Sequence, residues 1–195
     1  MWITMNEKVI ERTIKYTIPT PKELFESFRN EFSKTTLPDS WETSRPWTIT
    51  ILGIFDRIGH NFGYKPRKEY LALDRTWEIR HPDISVIVMA LEHENQDPVV
   101  KILDDELQKL LDTKALLKVL IFYPEVPSMM TEAGYTYPEI QEKIESAKIK
   151  NPDEKYVIMS IIRTGDEIVI SACLFDSDGK GEDLGDFRVK YSSKD

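Results

Sequence analysis

The chain has 195 residues and a formal net charge of −8, and it lacks any run of about 18 consecutive apolar residues, which argues against a membrane-spanning protein. Its acidity argues against a protein that coats nucleic acid through a broad basic surface, because such binding comes from Lys and Arg that neutralise phosphates. The single cysteine, Cys173, and the lack of a signal-peptide pattern at the start predict a cytoplasmic protein that needs no disulfides.

The first half of the chain predicts two helices followed by a strand hairpin. Thr20, Pro21 and Glu23 have the spacing of a capping box, and apolar residues recur at helical intervals up to residue 34. A second helix is predicted from about residue 46 to residue 60, where glycines interrupt the pattern. Alternating apolar and aromatic residues predict strands at 69–79 and 84–94, joined by the turn-like sequence "RHPD".

The second half predicts alternating helices and strands and then a final hairpin. Asp97 and Pro98 have the pattern of a helix start, with the helix continuing to about residue 111, and the apolar run 116–124 predicts a strand buried on both faces. Thr136 and Glu139 form a second capping box that begins a helix to about residue 149. Strands are predicted at 155–163, 167–175 and 187–191, and the acidic, glycine-rich segment 177–186 predicts a loop.

These elements together predict an α/β protein with a mixed central β-sheet flanked by helices. We expect a single domain over residues 1–195, with its core at about 46–123. Residues 1–45 would be an N-terminal helical addition, and residues 124–195 would add a helix and a C-terminal β-hairpin.

The sequence "ALEHEN" at 90–95 places acidic side chains at the end of an apolar strand. Because side chains alternate along a strand, Glu92 and Glu94 share one face and His93 takes the other. A turn centred on Asp83 would put Asp74 directly opposite Glu92 on the preceding strand. Opposed like charges destabilise a sheet unless a cation neutralises them. The pair therefore predicts a site for Mg²⁺ or Mn²⁺, since carboxylates without a cysteine or histidine cluster favour these ions over zinc.

The segments "LALDRTWEI", "VIVMALEHEN", "VVKILDDELQKLL" and "LKVLIFY" resemble, in this order, the core of the PD-(D/E)xK nuclease superfamily, which has the restriction-endonuclease-like fold. The resemblance covers about residues 46–123 and implies that Asp74 and Glu92 are metal ligands. Glu94 stands where the family usually has a lysine, so it would be a third ligand or a base that positions water. Lys109 on the following helix, or Lys101 as the less favoured choice, would supply the missing positive charge.

Two other positions of the family pattern have alternatives in this sequence. Asp83 belongs to a literal "PD" with Pro82, but only eight residues separate it from Glu92, so Asp74 is preferred. The acidic residue that the family often carries on its first core helix has Asp56 as its counterpart here.

The predicted function is that of a metal-dependent nuclease, with Asp74, Glu92, Glu94 and Lys109 as catalytic residues and Mg²⁺ or Mn²⁺ as cofactor. It would hydrolyse DNA or RNA, or form part of a nucleic-acid processing system. The basic residues predicted to hold the nucleic-acid backbone at this local site are Lys65, Arg67, Lys68, Arg75 and Arg80. For any one of them taken alone, an ordinary solvated surface is the favoured interpretation.

Three alternatives stay open at this stage. The chain would be a catalytically inactive nuclease-like fold that binds or assembles with partners, an interpretation favoured by Glu94 and by the acidic net charge. A glycosidase with paired carboxylates is less favoured because it also needs a large sugar cleft. "EHEN" would otherwise be a strand end that passes into solvent. A homodimer or a partner protein is compatible with each of these interpretations.

Overall fold

The structure, a computed structural model, describes residues 17–40, 44–81, 84–94, 101–124, 136–147 and 151–191. Over these ranges the chain forms a seven-stranded mixed β-sheet with four α-helices. The predicted α/β class with a mixed central sheet flanked by helices is confirmed. None of the helices within these ranges has the length and apolar character needed to cross a membrane.

The strands lie side by side in chain order from β1 to β7. They are β1 (Arg67–Tyr70), β2 (Leu73–His81), β3 (Ile84–Glu94), β4 (Ala115–Phe122), β5 (Lys155–Thr164), β6 (Glu167–Asp176) and β7 (Gly181–Lys190). The helices are α1 (Pro21–Phe32), α2 (Ser44–Asn61), α3 (Leu107–Asp112) and α4 (Thr136–Ser146), and a π-helical turn, π1 (Ile102–Glu106), leads into α3. Strands β3, β4 and β5 are parallel, and the other adjacent pairs are antiparallel. The C-terminal hairpin therefore continues the same sheet.

Helix α1 begins with the predicted capping box. The Thr20 hydroxyl accepts a hydrogen bond from the Glu23 backbone N–H at 3.2 Å, and the Glu23 carboxylate accepts one from the Thr20 backbone N–H at 2.8 Å. Such a cap stabilises the start of the helix by satisfying N–H groups that have no partner within the helix. Leu24 and Phe28 then place the buried face of the helix against the sheet.

Two apolar layers hold the sheet, one on each face. The first joins α1 and α2 to the sheet and includes Phe55 and Val119, and the second joins π1, α3 and α4 to it and includes Leu107 and Leu120. Alternate residues of β4 enter the two layers, which explains why the sequence of this strand is apolar without alternation.

Helix α2 approaches β2 closely at a glycine. A β-carbon on Gly59 would lie 2.7 Å from the indole nitrogen of Trp77 and 2.8 Å from Cγ of Pro66, so a larger residue would collide with both. Trp77 is fully buried and stacks on Tyr64 with the ring planes 14° apart. The contact fixes the end of α2 against the strand that carries Asp74.

Three predictions about local structure are wrong or incomplete. The single strand expected at 69–79 is divided by a tight turn at Leu71 and Ala72 into β1 and β2. The loop expected at 177–186 is shorter, since β7 already begins at Gly181. The helix expected from Asp97 is seen from residue 101 onward, and its predicted start lies outside the described residues.

Candidate active site

Strands β2 and β3 bring Asp74 and Glu92 to the same end of the sheet. The last ladder pair before them is Arg75 opposite Leu91, so Asp74 and Glu92 are the next positions on the two strands. Asp74 Oδ2 accepts a hydrogen bond of 2.9 Å from the backbone N–H of His93. This bond ties the Asp74 carboxylate to the strand that carries Glu92.

Glu92 is a buried carboxyl with few partners. Its residue is 3% exposed, and no hydrogen bond reaches its Oε1 from any described residue. Burial raises the pKa of Glu92 to about 10, and the charges of Asp74 and Glu106 and a hydrogen bond with Glu106 add to this shift. Burial is also the main reason why the pKa of Asp74 is raised, against the hydrogen bond from His93. The site thus buries carboxyl groups that resist ionisation, and a bound cation would favour their ionised form.

Glu106 at the end of π1 and Lys109 on α3 complete this group of side chains. Lys109 Nζ lies 2.6 Å from a Glu106 carboxylate oxygen and 3.9 Å from Glu92 Oε1. Burial lowers the pKa of Lys109, but the hydrogen bond to Glu106 and the surrounding carboxylates raise it above its usual value. The structure therefore brings together three predicted residues, Asp74, Glu92 and Lys109.

Glu106 is a member of this group that the sequence analysis missed. It is the last residue of π1, and short π-helical segments are frequent at functional sites. The available signal was its spacing of three residues from Lys109, which places both side chains on one side of a helix. Three neighbouring acids, Asp104, Asp105 and Glu106, left the facing residue undecided, and Asp104 pairs with Lys143 instead.

The remaining acidic and basic residues predicted for the site are Glu94, Lys101 and Asp83. Glu94 is half-buried and lines a cavity of about 610 Å³ that also includes His93 and Arg75. Lys101 is exposed. The side chain of Asp83 is outside the described residues. Within the ranges that the structure describes, no three His, Cys, Asp or Glu side chains are arranged to hold one metal ion.

His93 packs on the face of the sheet opposite to Glu92, as the alternation predicts. It is 7% exposed, and its Nε2 lies 3.1 Å from the Tyr123 hydroxyl. Burial lowers the pKa of His93 to about 3, so the ring is neutral at physiological pH. Its contribution to the site is made through the backbone N–H that it donates to Asp74.

The predicted nucleic-acid-binding residues fall into different environments. Arg75 is 8% exposed, donates to Asp56 at 2.8 Å and also donates to the Asp74 carbonyl oxygen, so its guanidinium is engaged within the fold. Asp56 thereby pairs with an arginine on the face opposite to Asp74. Lys68 is exposed and lines the same cavity as Glu94.

Lys65, Arg67 and Arg80 line another cavity, of about 520 Å³, beside β1 and β2. Glu78 lies in this cavity and pairs with Arg80 at 2.9 Å and with Arg67 at 3.4 Å. Three cations surround one carboxylate there, so positive charge remains after pairing. Among the predicted binders, these three and Lys68 stay accessible to a phosphate.

A second buried charge pair was not predicted from the sequence. Lys118 on β4 donates to Glu154 at 2.7 Å and to the Tyr156 hydroxyl at 3.2 Å, and its side chain is fully buried. Burial lowers the pKa of Lys118, although the hydrogen bond to Glu154 opposes this. The surrounding sequence "ALLKVLIF" gives a lysine in an apolar strand but not the position of its partner 36 residues later.

Comparison with models of known protein families finds no family that matches this chain, and comparison with curated proteins finds no match either.

Proposed function

We propose that the chain is a divalent-metal-dependent nuclease that hydrolyses phosphodiester bonds in DNA or RNA. The proposal is supported above all by Glu92, a buried carboxyl with an oxygen that no described residue hydrogen-bonds, next to Asp74, Glu106 and Lys109. A carboxylate in that position is costly to ionise unless a cation joins it. The resemblance to the PD-(D/E)xK superfamily, and with it a restriction-endonuclease-like core and a cytoplasmic location, is part of the same proposal.

Asp74 and Glu92 would hold Mg²⁺ or Mn²⁺. The oxygen chemistry fits, because Mg²⁺ is commonly bound by one or two carboxylates and keeps several water ligands. Two carboxylates on adjacent strands meet that need without a third. Bound there, the cation would polarise the phosphoryl group and favour ionisation of water.

The protein residues supply the remaining chemistry. Lys109, 3.9 Å from Glu92, would stabilise negative charge that develops on the phosphate, the role that the family assigns to its lysine. Glu106 holds Lys109 in place at 2.6 Å and would accept a proton from water. Lys65, Arg67, Lys68 and Arg80 would bind the nucleic-acid backbone.

A catalytically inactive protein with the same fold, acting in binding or assembly, is the second candidate. It is favoured by the short ion pair between Lys109 and Glu106, since a lysine neutralised in this way contributes less charge to a transition state. Only the nuclease predicts metal-dependent cleavage, so cleavage distinguishes the two candidates. A homodimer or a protein partner is compatible with either.

The test uses the full chain with end-labelled single- and double-stranded DNA and RNA in millimolar Mn²⁺ or Mg²⁺. We expect cleavage by the wild type and loss of at least about 100-fold in Asp74→Asn and Glu92→Gln. Asp178→Asn, which removes an exposed carboxylate from the β6–β7 turn, is the control and should keep full activity. The nuclease is excluded if calorimetry detects no Mn²⁺ binding and none of the substrates is cleaved.

A further inference from the structure

The β1–β2 hairpin has a turn whose residues do not suit its backbone. Tyr70 pairs with Leu73, so Leu71 and Ala72 form a two-residue loop, with φ values of 56° and 62°. Two-residue hairpins with positive φ at both positions strongly favour Asn-Gly or Asp-Gly, because a β-carbon is strained there. Glu69, just before, also has a positive φ, of 47°. Three of four consecutive residues thus take a conformation that their side chains disfavour.

The strained turn presents an apolar side chain to solvent. Leu71 is 61% exposed, so it adds little to the core that would offset the strain. The turn also lies beside the candidate active site, since Asp74 follows Leu71 by three residues and their α-carbons are at most about 10 Å apart. Backbone strain of this kind is found mainly at functional sites, where the exposed group has a use.

The surroundings of Leu71 favour nucleic acid as the molecule that it meets. Residues 65–80 carry five basic and three acidic residues, in a chain whose net charge is −8. The Arg67 guanidinium lies 3.5 Å from the centroid of the Tyr70 ring, next to the turn. Stacked arginine and tyrosine planes beside accessible lysines are suited to bases and phosphates, whereas an apolar protein partner would be met by a larger apolar patch.

We propose that Leu71 is a wedge that inserts between neighbouring bases of a nucleic-acid substrate and unstacks them next to the bond to be cleaved. Apolar side chains at the tips of basic elements act in this way in proteins that kink duplexes. The inference rests on the proposed nuclease function and makes its substrate class more specific. The preferred substrates are duplexes with a weak step, such as a mismatch or a junction, because these cost least to unstack.

The test replaces the turn by the sequence that its backbone favours. Leu71→Asn with Ala72→Gly should raise the melting temperature by about 3 to 6 °C by relieving the strain. The same double variant should bind a mismatched duplex at least about tenfold more weakly and lose the rise in 2-aminopurine fluorescence that reports unstacking. Binding is measured in an Asp74→Asn background so that the duplex stays intact. Val86→Thr, which alters another exposed apolar residue of the sheet, is the control and should change neither property.

The outcomes separate this inference from the function on which it rests. A wild type that cleaves nucleic acid, with a double variant that cleaves and unstacks equally well, would overturn the wedge and leave the nuclease intact. A wild type that neither binds nor cleaves any nucleic acid would overturn both. A more stable double variant with weakened binding and no fluorescence change at the probe supports the wedge, because stability and function then respond in opposite directions to one change.

Discussion

Replacement of Glu92 by Gln should stabilise the protein at alkaline pH. Glu92 is 3% exposed, and burial together with the charge of Asp74 raises its pKa from the ordinary value of about 4.5 to about 10. Between these two pH values the folded chain keeps a proton on Glu92 that the unfolded chain has released. The free energy of unfolding therefore falls as pH rises through this window and levels off near pH 10.

The size of the effect follows from the proton balance. One extra proton in the folded state lowers the free energy of unfolding by about 1.4 kcal/mol per pH unit. From about pH 5 to about pH 8 this gives about 4 kcal/mol as an upper figure. Relaxation of the folded chain around an ionised carboxylate reduces it, so we expect about 2 to 4 kcal/mol. Glutamine has the shape of the protonated carboxyl and cannot ionise. Glu92→Gln should remove this part of the pH dependence.

Urea unfolding of the wild type and Glu92→Gln, followed by tryptophan fluorescence without divalent metal, measures the difference. The two proteins should be similar near pH 5, and the variant should become more stable as the pH increases. Glu94→Gln removes a carboxylate from the same strand and serves as the control. Identical pH dependence in the wild type and Glu92→Gln, or a variant less stable at about pH 8, would refute the reasoning.

Three further variants test other contacts. Lys109→Met should lower cleavage by about 100-fold, while Lys101→Met at an exposed position should change it by less than about twofold; equal losses would contradict the assigned role. Lys118→Met leaves the Glu154 carboxylate buried without its cation and should cost about 3 to 5 kcal/mol in urea unfolding. Adding Glu154→Gln to that variant should restore most of the loss, and an equally unstable double variant would contradict the pairing. Gly59→Ala brings a methyl group against the buried indole and should cost about 1 to 3 kcal/mol, whereas an unchanged melting temperature would show that α2 can shift.

Counting residues predicted the correct pairing register of β2 and β3 at the site. It did so because two deviations from the expected hairpin cancel each other. The turn lies half a residue earlier than expected, since His81 pairs with Ile84. A bulge between Trp77 and Glu78 then shifts the ladder by one residue, so that Trp77 lies opposite Met89 as a turn centred on Asp83 would require. Beyond the bulge the strands follow the predicted pairing up to the carboxylates. The apolar alternation of β3 determines which face is buried, and it tolerates a bulge near the turn.

The residues that could not be predicted are those whose partners are set by packing. Arg75 has the sequence context of a phosphate binder, but the approach of α2 buries it against Asp56. Glu106 is one of three consecutive acids, and the π-helical turn decides which of them faces Glu92. The turn at Leu71 could not be predicted because it lacks the asparagine or glycine by which such turns are recognised.

The order of the strands bears on how the chain is made. Every strand pairs only with its neighbours in sequence, so the sheet can grow by addition to one edge while the ribosome is still at work. Strand β4 is vulnerable during this growth. It is buried on both faces in the folded chain, and its edge stays unpaired until residues 155–164 have been synthesised and form β5. A nascent chain that stalls after β4 would present an apolar edge ready to pair with another copy. We therefore expect slow translation between β4 and β5 to lower the yield of folded protein by prolonging the exposure of this edge.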